Sequence, residues 1–236
     1  MKALYKWFAY KLPIRSKLLI SFSILVMVPI LVLGIYSYQQ SKENTERQIR
    51  STMESNLTRL TSELDTRFQR EASTVRFLAY NLTFRNALEN SGASAMTMAQ
   101  VMNTSVEPTF WYFIAGDAYV KGMEVYSTKV RDKIGNFLLP VNDTVSQQAW
   151  YQQALDSYAT HWTYDGVEIC ANRAILDTNS SSEVIAVLRM FCYPASLLDA
   201  PDSMDYLDNG IRIVDENGQT VYARNSGVDA LGEALR

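Results

Sequence analysis

The sequence predicts an α+β protein in which a transmembrane helix and a long membrane-standing helix precede a mixed lobe with an antiparallel sheet. Three features of the 236-residue chain lead to this fold class. An uncharged run extends from Leu18 to Ser41, a segment without Gly or Pro follows it, and short β-branched and aromatic runs begin near Gly122. The first two features predict helices, and the third predicts strands.

The uncharged run predicts a membrane span. As a helix rising about 1.5 Å per residue it covers roughly 36 Å, more than a ~30 Å hydrocarbon layer. All charged residues before the run are basic, and the first acidic residue, Glu43, follows the run. The positive-inside rule then places a basic leader (1–17) in the cytoplasm, a span (18–38) in the lipid and later residues outside the cell membrane. A cleaved signal peptide is the alternative, but the run is long for one and no A-x-A-like site follows.

The outer part of the chain is acidic. Five of the 22 basic residues precede the span, so 17 basic residues face 25 acidic ones, giving a formal charge of about −8. Nucleic acid is therefore not an expected partner. His161 is the only histidine, and Asp202, Asp205 and Asp208 do not follow the ligand order of a calcium loop. We expect no metal, no cofactor and no catalytic residue in this chain.

The segment 39–90 predicts one long helix outside the membrane. Its apolar positions step by three or four residues, and nine steps over 33 residues average about 3.67, close to the helical repeat. We expect this helix to end near Gly92 and a short helix (95–103) to follow before Pro108. The stripe comprises Ile49, Met53, Leu57, Leu60, Leu64, Phe68, Ala72, Val75, Ala79 and Leu82.

The lobe that follows has a mixed pattern of strands and one helix. Short apolar runs bounded by turn residues predict the strands, and a three-to-four-residue period predicts the helix. The expected order is strand 123–130, strand 137–141, helix 147–158, strand 167–176 and strand 184–193.

A second hairpin is expected near the end of the sequence. Asn217-Gly218 stands between alternating apolar residues, which is typical of a two-residue type I′ turn. That turn would pair Val214 with Val221 and Ile213 with Tyr222.

The strands 167–176 and 184–193 predict a hairpin with two notable pairs. If its centre lies at Ser181, Cys170 stands opposite Cys192, and Arg173 stands opposite Arg189. The cysteines could then form a disulfide, or remain two buried thiols. Like charges directly opposite on a sheet repel, so the arginines would need an anion beside them.

Two alternatives remain for the arginines. A one-residue change of register would separate both pairs. Glu168, Asp177 or Asp215 could also serve as ordinary salt-bridge partners.

The chain contains, in order, the apolar span, the long helix, "MEVYS", "WYQQAL", "HWTYDG", "ICANRAI", "VIAVLRMFCYPASLL" and "IRIVDENGQTVYA". This order of segments resembles the extracytoplasmic sensor region of bacterial two-component histidine kinases that carry a Cache (PAS-like) module. In the double-Cache arrangement, 91–208 would be the membrane-distal PAS-like lobe and 209–236 the start of a truncated membrane-proximal lobe. The phosphoacceptor and ATP-binding parts of a histidine kinase are not expected in this chain.

The resemblance implies a ligand pocket in the distal lobe. Trp150, Tyr151 and Trp162 lie where a PAS-like pocket has its lid helix and loop, and Tyr126 lies on the first strand. The anion beside Arg173 and Arg189 would then be a ligand carboxylate. The alternative for each aromatic residue is a packing role in the core.

The resemblance implies a homodimeric sensor that binds a small ligand and relays a signal across the membrane. The same input could serve a chemoreceptor or a cyclic-dinucleotide enzyme. A tethered module that contacts a solute-binding protein and no small ligand is a further alternative. Five N-x-[ST] sequons also leave open a type II membrane glycoprotein. They begin at Asn56, Asn81, Asn103, Asn142 and Asn179.

Overall fold

Helix α1 (Ile14–Ala79) is the longest element of the chain and includes the apolar run. The computed structural model describes residues 13–90, 95–180, 183–199, 211–214, 218 and 220–224. The chain divides into two units, residues up to Thr58 and residues from Arg59 onward, and α1 contributes to both.

The first unit holds the candidate membrane span. Within the described residues α1 is long and apolar enough to cross a membrane, as the sequence predicts. Its large apolar side chains from Leu18 to Tyr38 are exposed, which is expected of a helix whose side chains contact lipid. The orientation in the membrane remains a prediction from the charge distribution.

Helix α1 ends earlier than the sequence predicts. A second helix, α2 (Leu82–Glu89), begins after Asn81, whose side chain accepts a hydrogen bond of 3.0 Å from the backbone N–H of Phe84. Asparagine favours this N-cap geometry because its side chain replaces a helical backbone acceptor. The prediction of one helix continuing to residue 90 is therefore wrong at its end.

Helical structure continues past Pro108. Helix α3 (Ala95–Val101) leads into a π-helical turn (Met102–Val106) and helix α4 (Glu107–Gly116). Pro108 lies in the first turn of α4, where a missing backbone N–H costs no helical hydrogen bond. The expectation of a helix ending before Pro108 missed this continuation.

A five-stranded sheet forms the centre of the second unit. Its spatial order is β2-β1-β5-β4-β3, with β1 and β2 parallel and the other neighbours antiparallel. The strands are β1 (Val120–Ser127), β2 (Leu138–Pro140), β3 (His161–Tyr164), β4 (Ile169–Leu176) and β5 (Val184–Cys192). Short helices α5 (Asp143–Ser146) and α6 (Ala149–Asp156) precede β3, and α7 (Pro194–Leu198) follows β5.

A two-stranded sheet consists of β6 (Ile211–Val214) and β7 (Thr220–Arg224). Ile213 pairs with Tyr222 as predicted, but Val214 pairs with Thr220 and not with Val221, because the register shifts between Ile213 and Val214. Gly218 has a φ of +80°, which glycine adopts readily. Asn217, which the turn prediction also needs, lies outside the described residues.

The two faces of the five-stranded sheet have different coverings. On the first, which we call the α1 face, Val75 and Leu78 of α1 belong to one buried apolar cluster with Ala171, Leu188 and Met190. On the second, the α6 face, Tyr151 and Ala154 of α6 pack with Val187. Successive residues of a strand alternate between the two faces.

The register between β4 and β5 differs by one residue from the prediction. Cys170 pairs with Phe191 and Cys192 pairs with Ile169, so the predicted pair of opposite cysteines is wrong. Both thiols are free and buried. The pairing is irregular between Ile175 and Leu176, where β5 has one extra residue. The register therefore differs from the one that a hairpin centred on Ser181 would give.

The same register separates the two arginines. Arg173 pairs with Leu188, whereas Arg189 pairs with Asn172. Because a one-residue difference reverses the face, Arg173 points to the α1 face and Arg189 to the α6 face. The predicted pair of opposite arginines that share one anion is therefore wrong.

Candidate functional site

Four polar side chains form one row across the α6 face. Glu124 on β1 pairs with Arg189 on β5, Arg189 pairs with Asn172 on β4, and Asn172 pairs with His161 on β3. Directly paired residues in antiparallel strands project from the same face, and neighbouring strands lie about 4.8 Å apart. We call Glu124, Arg189, Asn172 and His161 the polar row.

Three members of the polar row have a buried atom without a hydrogen-bond partner among the described residues. These atoms are Nε of Arg189, Oδ1 of Asn172 and Nε2 of His161. Asn172 is completely buried, and the side chain of Arg189 is 12% exposed. An unmet buried polar group costs about 1–3 kcal/mol, and proteins meet such needs with ordered water or a ligand.

Hydrogen bonds fix the amide of Asn172. Its Nδ2 donates to Oγ1 of Thr163 at 2.9 Å and lies 3.4 Å from the carbonyl oxygen of His161. The donor end of the amide is therefore used within the sheet, and the acceptor end remains for another group.

The guanidinium group of Arg189 is held between aromatic rings. Its Cζ lies 4.5 Å from the ring centroid of Trp150 and 5.0 Å from that of Phe191. Its Nη2 is 3.3 Å from Oδ2 of Asp165 and 3.3 Å from the Cys170 sulfur. The Asp165 carboxylate thus neutralises Arg189, while Nε of Arg189 is not engaged.

Asp165 is charged at neutral pH. Burial tends to raise the pKa of its carboxyl, but backbone N–H groups and the charge of Arg189 outweigh burial and lower the pKa. The backbone N–H groups of Val167 and Glu168 donate to Oδ1 at 3.0 and 2.8 Å. These bonds hold Asp165 in the turn between β3 and β4.

Glu124 has a protonated neighbour. The hydroxyl of Tyr126 donates to Oε2 of Glu124. Burial and this hydrogen bond raise the pKa of Tyr126 well above its usual value, so the hydroxyl keeps its proton. The ring of Tyr126 lies 5.3 Å from that of Trp150 and extends the aromatic surroundings of Arg189.

The structure brings four of the six predicted ligand residues to the α6 face. They are Tyr126, Trp150, Tyr151 and Arg189. Tyr151 is nearly fully buried, and burial raises its pKa. Cys170 lies on the same face, beside Arg189, and burial likewise raises the pKa of its thiol.

The other two predicted ligand residues lie on the α1 face. Trp162 packs edge-on against Phe68 of α1, with ring centroids 4.6 Å apart. Arg173 is 8% exposed, donates to Oγ1 of Thr160 at 3.1 Å and lies over the ring of Tyr80. Neither side chain shares the surroundings of the polar row.

Sequence reasoning missed four residues of this site. Glu124, Asn172 and His161 were not considered as a group, because their contact depends on the register of three separate strand pairs. Asp165 was overlooked in the turn after "HWTY". The alternation of polar and aromatic residues in "HWTY" was the signal that could have identified β3.

A separate buried carboxyl belongs to Glu71 of α1. Its side chain is completely buried, Oε1 accepts a 2.9 Å hydrogen bond from Arg70, and Oε2 has no partner among the described residues. Arg70 also contacts Asp117 at 2.8 Å. Burial raises the pKa of Glu71, and Arg70 only partly opposes this effect.

Metal binding has no support among the described residues, where His, Cys, Asp and Glu form no group of three or more that could hold an ion. No model of a known protein family matches the sequence. No curated protein matches it either.

Proposed function

We propose that this chain is the input region of a membrane-bound sensor, with a PAS-like Cache lobe that binds a small ligand outside the cell. The observation that carries the proposal is the polar row, where three buried polar atoms on adjacent strands have no hydrogen-bond partner in the part of the chain that the structure describes. A ligand between the sheet and α6 would supply those partners. The apolar run of α1 supports the proposed membrane anchor with lipid contacts over 18–38. The basic residues before the run favour a cytoplasmic N-terminus.

Strand β5 connects the proposed site to helix α1. Arg189 belongs to the polar row on the α6 face, while its neighbours Leu188 and Met190 belong to the apolar cluster that includes Val75 of α1. A movement of β5 upon binding would therefore change the packing of α1. Such a ligand shifts the equilibrium only through its different affinities for the two arrangements.

The segment that follows β5 forms a second connection to α1. Arg67 of α1 donates to the carbonyl oxygens of Leu197 at 3.1 Å and Asp199 at 2.8 Å. The Tyr222 hydroxyl donates to Oδ1 of Asp199 at 2.8 Å. The proposed signal would pass through these contacts from the distal lobe to α1 and to the β6–β7 hairpin of a membrane-proximal lobe.

The output of the sensor is proposed from the resemblance in the sequence. We expect a homodimeric histidine protein kinase as the whole protein, with a chemoreceptor or a cyclic-dinucleotide enzyme as alternatives. In each case the ligand would act through α1.

A protein-interaction module is the second candidate function. Phe77 of α1 and Trp111 and Tyr112 of α4 are 58%, 51% and 74% exposed, and Phe77 contacts Phe113 at a ring distance of 5.8 Å. Exposed aromatic groups of this kind are typical of protein contact sites. This surface would suit a solute-binding protein as partner.

Thermal unfolding of the full chain in detergent micelles, with a broad panel of small molecules, tests the sensor proposal. We expect at least one compound to raise the melting temperature Tm in a concentration-dependent way. Arg189→Lys should weaken binding about tenfold or more, because the planar donor fork is lost. Arg173→Lys, on the other face of the neighbouring strand, is the matched control and should keep the affinity.

A Tm that no compound raises would contradict ligand sensing. Equal losses of affinity in Arg189→Lys and Arg173→Lys would place the site away from the polar row.

A further inference from the structure

The electrostatic balance of the polar row determines which ligands it can accept. Glu124 of the row and the adjacent Asp165 are two carboxylates, and Arg189 is one guanidinium group, whose Nη2 is 3.3 Å from Asp165. The formal charge of these three side chains is therefore −1. A free anion would have to enter a partly buried site where Arg189 already has a counter-ion. The attraction to Arg189 would then be smaller than the free-energy cost of removing water from the anion.

A cationic ligand is also disfavoured, despite this formal charge, because of the position of Arg189. Glu124 already accepts a hydrogen bond from the Tyr126 hydroxyl, and the positively charged Arg189 is its direct cross-strand neighbour. A cationic group near Glu124 would therefore meet like charge at a distance of one strand spacing.

The three buried atoms of the polar row that have no hydrogen-bond partner among the described residues require both donors and acceptors from a ligand. Nε of Arg189 donates, Oδ1 of Asn172 accepts, and Nε2 of a neutral imidazole can do either. They come from three adjacent strands, so the row extends over roughly 10 Å. A single carboxylate could accept a hydrogen bond at one of these three atoms. Hydroxyl groups repeated along a molecule can donate or accept hydrogen bonds at all three.

Resting on the proposed sensor function, we infer that the ligand is an uncharged polyhydroxylated compound, a sugar or a polyol. Its hydroxyl groups accept from Arg189, donate to Asn172 and contact His161. The aromatic rings of Trp150 and Tyr126 line the same face and provide apolar surface for the carbon skeleton. This assignment replaces the carboxylate that the sequence led us to expect.

Matched ligand pairs test the assignment on the full chain in detergent micelles. The panel contains neutral hexoses, pentoses, disaccharides and polyols, each beside the corresponding sugar acid, together with zwitterionic amino acids. We expect a neutral compound to raise Tm by a few degrees with saturation, and its acid to bind at least tenfold more weakly. Asn172→Leu should weaken the neutral compound about tenfold, while Arg173→Lys leaves its affinity unchanged.

Asp165→Asn tests the charge argument directly. Asparagine keeps the side-chain oxygen that accepts the backbone N–H groups of Val167 and Glu168, but it removes the counter-ion of Arg189. The sugar acid should gain at least tenfold in affinity, and the neutral compound should change by less than about threefold. An acid whose affinity does not rise in Asp165→Asn would overturn the charge argument.

The possible failures are distinguishable. If only acids or amino acids stabilise the chain, and Arg189→Lys abolishes the effect, the ligand class is wrong and the sensor proposal stands. If no compound of any class raises Tm, both proposals fail. If a neutral compound binds equally to the wild type and Asn172→Leu, the polar row is not its site.

Discussion

The two faces of the five-stranded sheet use the same strands for different purposes. On the α1 face, Leu188 and Met190 of β5 are completely buried in the apolar cluster. Arg189 lies between these positions in sequence and projects from the α6 face, in a polar row where three buried atoms have no hydrogen-bond partner among the residues that the structure describes. One strand therefore both stabilises the fold and carries the candidate site.

The largest expected effect follows from removing apolar volume on the α1 face. Leu188→Ala should lower the free energy of unfolding by about 2–5 kcal/mol, because the side chain is completely buried and leaves a cavity. Urea unfolding of the full chain in micelles would measure the loss. Val167→Ala, at a position 73% exposed, is the control and should change little. A loss below about 1 kcal/mol in Leu188→Ala would contradict the assigned packing.

The buried carboxyl of Glu71 should give a pH-dependent effect of intermediate size. Its pKa in the folded state is raised, so protonated Glu71 favours the folded state. This contribution to the free energy of unfolding is complete below about pH 4.5 and is lost as pH rises through the folded pKa. Glu71→Gln should flatten this part of the stability–pH curve. The charged or titratable groups around it are Arg70, Asp117 and Cys192.

Thermal unfolding between pH 4 and pH 8 would test the Glu71 prediction. Glu54→Gln, at an exposed position of α1, is the matched control and should leave the slope unchanged. A slope that persists in Glu71→Gln would assign the pH dependence to another group.

A smaller effect is expected from Asn172 on the α6 face. Asn172→Leu removes the acceptor Oδ1, which has no partner within the described ranges, and the donor Nδ2, which bonds Thr163, so the two effects on stability largely offset. The unfolding free energy without ligand should change by less than about 1 kcal/mol, or rise. Urea unfolding checks this prediction, and a loss similar to that of Leu188→Ala would mean that the row serves stability alone.

The smallest expected effect concerns the cysteines. Cys170 and Cys192 are diagonal neighbours on opposite faces, so reduction with dithiothreitol should leave Tm unchanged. Intact mass after alkylation of the unfolded chain should show two free thiols. A Tm that falls upon reduction would show that the chain can adopt the register with opposite cysteines.

The regular periodic segments could be predicted from the sequence. The apolar run, the helical stripe and the positions of β2, β4 and β5 follow from patterns within one segment. The end of α1 at Ala79 was missed because Asn81 acts as an N-cap in a stretch without Gly or Pro. Local side-chain geometry decided that boundary, and periodicity does not reveal it.

The candidate site was only partly predictable. Trp150, Tyr126 and Arg189 were identified by residue type, but the partners of Arg189 depend on register. A shift of one residue between β4 and β5 moved Arg173 to the α1 face and placed Asn172 beside Arg189. The row is formed by contacts between distant segments, which a single sequence does not specify.

Hydrogen–deuterium exchange on the full chain in micelles, with and without a compound that raises Tm, is the most direct test of the central claim that the α6 face binds the ligand. We expect slower exchange in α6 and in the backbone of β3, β4 and β5 around His161, Asn172 and Arg189. We also expect a smaller change in the part of α1 around Val75. Protection confined to α4 and the segment around Phe77 would contradict ligand binding at the α6 face and favour a protein-docking surface.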